Sequence, residues 1–284
     1  MTSSNSNASN ESNEKGFKVI TCISRKGGTG KSSSTINLGQ AFRILGKNVA
    51  IIDADDQQSI AAWEKELKLK KYDTKYGDFF PDVISGANSA SAISNIFHAL
   101  TTDPEWQGSY DYILIDMAGH MSKIREGGST KELYDAVIKN SDMLIMVNKP
   151  EIFCVNSNEI GCELMEERLA ALGINKPHLY SLLNDVPTKK NASIRKSIVD
   201  LEELINQDKM WKSFDRVIER SPRVGASLTE GCTSFIPYRE SIADSYYELT
   251  NEIVKIFEGT VSTRSLVERK NSINKLLKSK GQTA

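Results

Sequence analysis

The sequence predicts an α/β fold: a doubly wound, mostly parallel β-sheet with helices on both faces. Three observations lead there. Short apolar, β-rich runs recur along the chain with helical patterns between them, and alternating elements of this kind favour an α/β sheet. The first strand is followed by a glycine-rich turn, a helix and a second strand. That order is a βαβ unit, which implies parallel strands and a right-handed crossover. Finally, 284 residues with 39% apolar and 26% charged side chains are a soluble globular mixture. The length is near the upper limit for one hydrophobic core.

The elements follow in order. Residues 1–15 open with MTSSNSNASNESN, too polar to offset the entropy of ordering, so a disordered tail is expected. This stretch has neither a basic region nor an apolar core, so no cleaved leader is expected. FKVITCIS (17–24) reads as a buried strand. From Ser32 to Leu45, residues Ile36, Leu38, Ala41, Phe42 and Leu45 fall near helical spacing, and Gly46 is a natural stop. NVAIID (48–53) is the second strand. YILID (112–116), MLIMV (143–147) and HLYSLLN (178–184) are further strands, with helical patterns around 87–100, 130–139, 155–171 and 193–207. SYYELTNEIVKIF (245–257) is a late amphipathic helix, with Tyr246, Leu249, Ile253 and Ile256 on one side. The domain is expected over 16–260, followed by a basic helical tail over 261–284.

Several classes are excluded. No run of 18 apolar residues exists, so no membrane-spanning helix is expected. The net charge is −1, so any nucleic-acid binding must use a local patch. Cys22, Cys154, Cys162 and Cys232 form no C-x-x-C pair, which suits buried reduced thiols in a cytosolic protein rather than disulfides or a zinc site. His98, His120 and His178 are scattered and suggest no metal site.

The sharpest feature is Lys26-Gly27-Gly28-Thr29-Gly30-Lys31-Ser32. The ordinary phosphate-loop rule wants glycine where Arg25 stands, so the fit is to the deviant form K-G-G-x-G-K-[ST]. Glycines let consecutive N–H groups converge as a nest around phosphate oxygens. The following helix presents its positive end. Lys31 supplies a mobile charge to the β- and γ-phosphates, and the Ser32 hydroxyl can ligate magnesium.

Two acidic features accompany it. Asp53-Ala54-Asp55 ends the NVAIID strand. Carboxylates at i and i+2 of an extended chain point the same way, so both are expected to face the pocket. One would hold magnesium through water, the other would orient an attacking water. Further on, YDYILIDMAG (110–119) is an apolar strand ending in Asp116, the pattern of an acid in the magnesium shell. Gly119 would give the next loop freedom to sense a γ-phosphate.

These residues resemble the deviant-Walker P-loop ATPases of the ParA and MinD family. The resemblance spans roughly 17–258 and rests on KGGTGKSSSTINLGQAF, IIDADDQQSIAAW and YDYILIDMAG, and more loosely on LLND and GCTSFIPYRESIADSYYEL. Its form is most similar to a small plasmid-partition ParA of the δ type. The resemblance implies ATP and magnesium as cofactors, bound by Lys26, Gly27, Gly28, Thr29, Gly30, Lys31, Ser32 and Ser33, with Asn184 near the adenine. It implies an ATP-sandwich homodimer in which Lys26 reaches the partner's nucleotide. Lys31 would act on the phosphates in cis and Asp55 would position the hydrolytic water. Ser32, Asp53 and Asp116 would serve the metal. It further implies nonspecific double-stranded DNA and a ParB-type centromere-binding protein as partners, in a cytoplasmic protein that joins the nucleoid when ATP-bound. Ser32 stands where the family more often has Thr, Asp56 where Pro is frequent, and Met117-Ala118 where Thr-Pro is usual; none of these removes a reacting group. Iron–sulfur carriers need cysteine ligands at spacings absent here.

The tail carries Arg264, Arg269, Lys270, Lys275, Lys278 and Lys280 against Glu268. A solvated helix, a nucleic-acid contact and a membrane-surface helix are all open to it. Lack of Trp or Phe anchors favours DNA over membrane. The resemblance implies Arg220, Arg223, Arg239 and Lys255 as further candidate DNA contacts, since they lie in the region where the family binds DNA. Two alternative functions stand beside partition: a MinD-like membrane-associated spatial regulator and an accessory ATPase of conjugative DNA transfer.

Overall fold

The computed structural model describes residues 15–259 apart from 120, 176, 208–209, 222–223, 225–230, 232, 234 and 236–239, with the side chains of 75, 152–158 and 240–241 also left aside. The expected tail helix over 261–284, most of the expected N-terminal tail, and Arg223 and Arg239 lie outside the described residues.

Among the described residues seven strands form one parallel sheet: β1 (Lys18–Ile23), β2 (Val49–Ala54), β3 (Asp82–Ile84), β4 (Tyr112–Met117), β5 (Met143–Asn148), β6 (His178–Leu183) and β7 (Trp211–Ser213). Their spatial order is β3-β2-β4-β1-β5-β6-β7. The chain winds outward from β1 to β3, returns through β4, then crosses to β5, β6 and β7. The loop after β1 therefore sits where the winding direction reverses, where ligands bind in open α/β sheets.

The strands read as continuous apolar runs because both sheet faces are covered. Alternate residues feed two cores. Ile20, Ile51, Leu114 and Ile145 pack on one side, while Val19, Ile52, Ile113 and Leu144 pack on the other. The first side is covered by α1 (Lys31–Ile44), α2 (Ser59–Leu69) and the last of the described helices, α8 (Glu240–Glu258). The second is covered by α4 (Ala90–Thr102), α5 (Gly128–Asn140), α6 (Ile152–Leu172) and α7 (Ala192–Gln207). A short α3 (Tyr72–Tyr76) links α2 to β3.

α1 is buried along most of its length, so its polar residues need partners. Ser34 Oγ lies 3.2 Å from Tyr246 Oη of α8, Asn37 Nδ2 donates to the Ser33 carbonyl, and Thr233 Oγ1 donates to Gln40 Oε1. The expected stop at Gly46 is present as a Schellman motif. Gly46 has φ +81°, its N–H donates to Arg43 O at 2.9 Å, and the Lys47 N–H donates to Phe42 O at 3.0 Å, satisfying the last carbonyls of the helix.

The expected strands and the late helix are all found. The sequence reading did not anticipate α2, α3, β3 or β7. Lys15, counted with the N-terminal tail, is anchored: its Nζ donates to Asn140 O at 2.6 Å and lies 5.5 Å from the Phe97 ring centre. Cys22 and Cys162 are buried thiols outside any disulfide; burial pushes the Cys22 thiol up to about 12. Among the described residues no helix is long and apolar enough to cross a membrane.

Candidate functional site

A cleft of about 520 Å³ opens at the carboxyl ends of the strands. One end is the glycine-rich loop, between β1 and α1. Gly28 and Gly30 take φ +77° and +88°, values that L side chains rarely adopt. These turns bring the chain back over the end of β1, so that α1 starts at Lys31, facing the cleft.

Three features of this end suit an anion. No side chain caps α1, so its first N–H groups are open to a ligand. The Thr29 hydroxyl is buried without a hydrogen-bond partner. Lys31 and Ser32 meet the end of β4 instead of solvent: Lys31 Nζ donates to Asp116 Oδ1 at 2.7 Å and Ser32 Oγ donates to Asp116 Oδ2 at 2.6 Å. Thr35 Oγ1 adds a 3.3 Å contact to the same carboxylate. Asp55 Oδ2 lies 3.7 Å from Lys31 Nζ. Lys31, Ser32 and two acids thus form one knot, drawn from the start of α1, the end of β4 and the turn after β2.

Asp53 has backbone partners that the sequence did not announce. β2 ends at Ala54, and the two carboxylates meet different partners: Asp55 lies by Lys31. Asp53 Oδ2 accepts N–H groups from Ile60 at 3.1 Å and Ala61 at 3.0 Å, and Oδ1 accepts from Asp55 N at 3.3 Å. Asp53 thereby caps α2 from a distance, where Gln58 offers no side-chain cap. Burial pushes its carboxyl above the usual range; the Ala61 amide opposes this and the neighbouring Asp116 charge adds to it.

Asn184 is also brought to the loop. Its Nδ2 donates to Thr29 O at 2.7 Å, and a Cβ on Gly30 would lie 2.2 Å from that nitrogen. The side chain braces the loop, and Asn184 lines the cleft. Lys26 is exposed at the loop's tip, with its carbonyl accepting from Ser24 Oγ at 3.0 Å.

The far end of the cleft was not read from the sequence. Lys149, Asp185 and Arg220 follow β5, β6 and β7 and line it together. Asp185 Oδ1 lies 3.0 Å from Arg220 Nε and Oδ2 lies 3.0 Å from Lys149 Nζ. Burial alone would raise the Asp185 carboxyl, but hydrogen bonds from Arg220 and Lys149 outweigh it and hold the group below the usual range. Arg220, expected as a DNA contact, is therefore a cleft residue. The one sequence signal was proximity: Asp185 follows Asn184 in LLND. Lys255 is exposed on α8.

A phosphate nest, a lysine and a hydroxyl on one acid, and a second acid 3.7 Å away define a P-loop nucleotide-binding protein. Residues 20–248 match the profile of the CobQ/CobB/MinD/ParA nucleotide binding domain, and the chain belongs to that family. It is 31% identical over 131 residues to protein virC1 of Rhizobium rhizogenes, covering 46% of this chain and 48% of that one. The chain thus spans about half the length of such a curated relative. Its fold is similar to a plasmid partition protein of Borrelia burgdorferi B31 solved with AMPPNP, with TM-score 0.60, 18% identity, and 84% and 99% of the two chains covered. It is similar too to the septum site-determining protein MinD of Pyrococcus horikoshii OT3 solved with Mg-ADP, with TM-score 0.55, 19% identity, and 84% and 97% covered.

Proposed function

We propose that this protein is a magnesium-dependent ATPase acting as a dimeric switch in DNA partition. The observation that carries the reading is the knot at the cleft: Lys31 and Ser32 both on Asp116, with Asp55 beside Lys31.

The residues suit the cofactors. Among the described residues no group of three or more His, Cys, Asp or Glu forms a metal cage. Magnesium needs none, because it keeps several waters and takes one or two protein ligands plus phosphate oxygens. Ser32 would hold it directly, with Asp116 and the neighbouring Asp53 serving its water shell. Bound magnesium would neutralise charge on the transferred phosphoryl group. The nest of residues 26–33 would bind phosphate oxygens through backbone N–H groups. Lys31 would move from Asp116 to the phosphates, with Asp116 left to the metal's waters. Asp55, on a turn beside the lysine, would orient the attacking water. Asn184 and the far end of the cleft would receive the base.

Lys26, exposed at the loop's tip, would reach across to a partner's nucleotide and tie dimerisation to ATP. Nonspecific DNA and a centromere-binding protein of the ParB type are the partners proposed, in a cytoplasmic protein on the nucleoid when ATP-bound. The domain is proposed to span 16–260, with the basic tail of 261–284 contributing to DNA binding. The exposed Lys255 is a candidate in the body of the domain.

The direct test is equilibrium titration with ATP and magnesium, comparing the protein with Lys31→Gln. That substitution keeps a donor for Asp116 while removing the charge. Nucleotide affinity should fall at least about tenfold, the order of one lost charge-assisted hydrogen bond. Equal affinity would overturn the phosphate-site assignment. A parallel comparison of ATP-dependent binding to duplex DNA and to anionic liposomes separates partition from the membrane alternative.

A further inference from the structure

We propose that Tyr134 is a positioning residue that aims the loop after β4 at the phosphate loop. This rests on the nucleotide-switch reading above. Tyr134 lies on α5 and is 1% exposed, and its hydroxyl donates to the Ala118 carbonyl at 2.6 Å. The next residue, Gly119, presses on the phosphate loop. A Cβ there would lie 3.1 Å from Gly27 N and 3.2 Å from both Gly27 Cα and the Lys26 carbonyl carbon.

The loop is therefore held from two sides, by the phenol behind and by the 26–27 peptide in front. Met117 and Met121, on either side of it, are fully buried.

Peptide geometry turns this contact into an aiming device. In a trans peptide the C=O and N–H point in opposite directions. With the Ala118 carbonyl turned back to Tyr134, the Gly119 N–H is directed to the other side, where Gly119 lines the cleft. Tyr134 thus presents a backbone donor to the place a terminal phosphate oxygen would occupy. The same contact sets the height of the Lys26–Gly27 peptide and hence the base from which Lys26 reaches outward. Burial, with the Asp55 and Asp116 charges adding to it, pushes the phenol well above its ordinary range, which favours the protonated, donating form.

Tyr134→Phe removes only the hydroxyl. Without nucleotide, hydrogen exchange should accelerate about 5- to 10-fold at residues 118–119 and 27–29, the order of one buried hydrogen bond. The strands should exchange unchanged, and trypsin should cut more readily after Lys26. With magnesium and ATP, kcat should fall about tenfold while KM and ADP affinity stay within about threefold, because ADP lacks the phosphate being sensed. Gly119→Ala, whose Cβ pushes on the phosphate loop, should weaken ADP binding as well. Three results would overturn the proposal: unchanged exchange in both loops, faster exchange across the whole sheet, or equal losses in ADP and ATP binding for Tyr134→Phe. A wild-type protein without ATPase activity would sink the proposed function instead, while the exchange and trypsin results still decide the role of Tyr134.

Discussion

Asp55 and Asp116 differ in what the fold demands of them. Asp116 is fully buried and accepts from Lys31, Ser32 and Thr35. Removing it strands a buried lysine, and breaking a buried pair costs about 3–5 kcal/mol. Asp55 is half-buried at a turn, and Lys31 keeps Asp116 without it. Asp55→Ala should therefore fold and bind ATP normally, while kcat falls about 10²–10⁴-fold, the range for a positioned acid or base. Single-turnover hydrolysis beside an affinity titration checks this. Failure to bind nucleotide would make Asp55 structural. Gly30 is constrained twice, by its φ of +88° and by Asn184 2.2 Å from where a Cβ would be.

Among the elements, α2 depends on a residue outside it. Two of its first N–H groups donate to Asp53 on β2, and a carboxylate there also opposes the helix dipole. Asp53→Ala should cost about 0.5–2 kcal/mol, the range for a lost N-cap, read from urea unfolding, with faster exchange limited to the start of α2 and to the Asp55 turn, whose N–H also donates to Asp53. Because Gln57 and Ser59 line the cleft, loosening α2 also loosens the Asp55 turn. α8 is anchored at its far end. Glu258 accepts from Lys47 Nζ at 2.7 Å and from Tyr112 Oη at 2.6 Å. Burial would raise the Glu258 carboxyl, but the Lys47 and Tyr112 bonds hold it below its ordinary 4.5. A carboxyl lowered in the folded state contributes stability above its unfolded pKa and loses it as pH falls through the folded value. Unfolding of Glu258→Gln between pH 6 and 3 should thus differ most from wild type at pH 6 and converge below about 4.5. Parallel curves across that range would show that the ion pair contributes nothing.

For the whole molecule, the doubly wound sheet gathers loops from β1, β2, β4, β5 and β6 at one rim, where residues far apart in sequence share one cleft. Dimerisation through Lys26 would make that rim an interface. Sedimentation of Lys26→Ala with a non-hydrolysable ATP analogue should show monomers where wild type dimerises. Persistent ATP-dependent dimers would reject the trans role. A protein of net charge −1 gains little from DNA except through a clustered patch, and pairing two patches multiplies affinity through effective concentration. Each neutralised phosphate steepens the log–log salt dependence by about 0.9. Binding to nonspecific duplex should therefore be tighter and more salt-sensitive with ATP than without. An ATP-independent slope would argue against the switch.

The phosphate loop was legible in the sequence because its chemistry is local. A nest, its lysine and its hydroxyl are made by consecutive residues, and the flanking strand and helix are written in the adjacent pattern. The core strands were legible for a related reason, since burial on both faces leaves an unbroken apolar run. β3 and β7 have three residues each and become strands only because β2 and β6 offer them paired edges. The missed helix α2 takes its N-terminal cap from Asp53, which precedes Ile60 by seven residues. The division of labour between Asp53 and Asp55 was likewise decided by tertiary structure. Spacing makes the two acids equivalent, and only the placement of α2 beside β2 draws one to the amides and leaves the other by Lys31. Arg220 and Asn184 followed the same rule. Each found its partner, Asp185 across 35 residues and Thr29 across 155, through the winding of the sheet. A carboxylate or amide goes to the donors and acceptors that packing brings within 3 Å, and that proximity is a property of the folded chain rather than of any neighbouring residues.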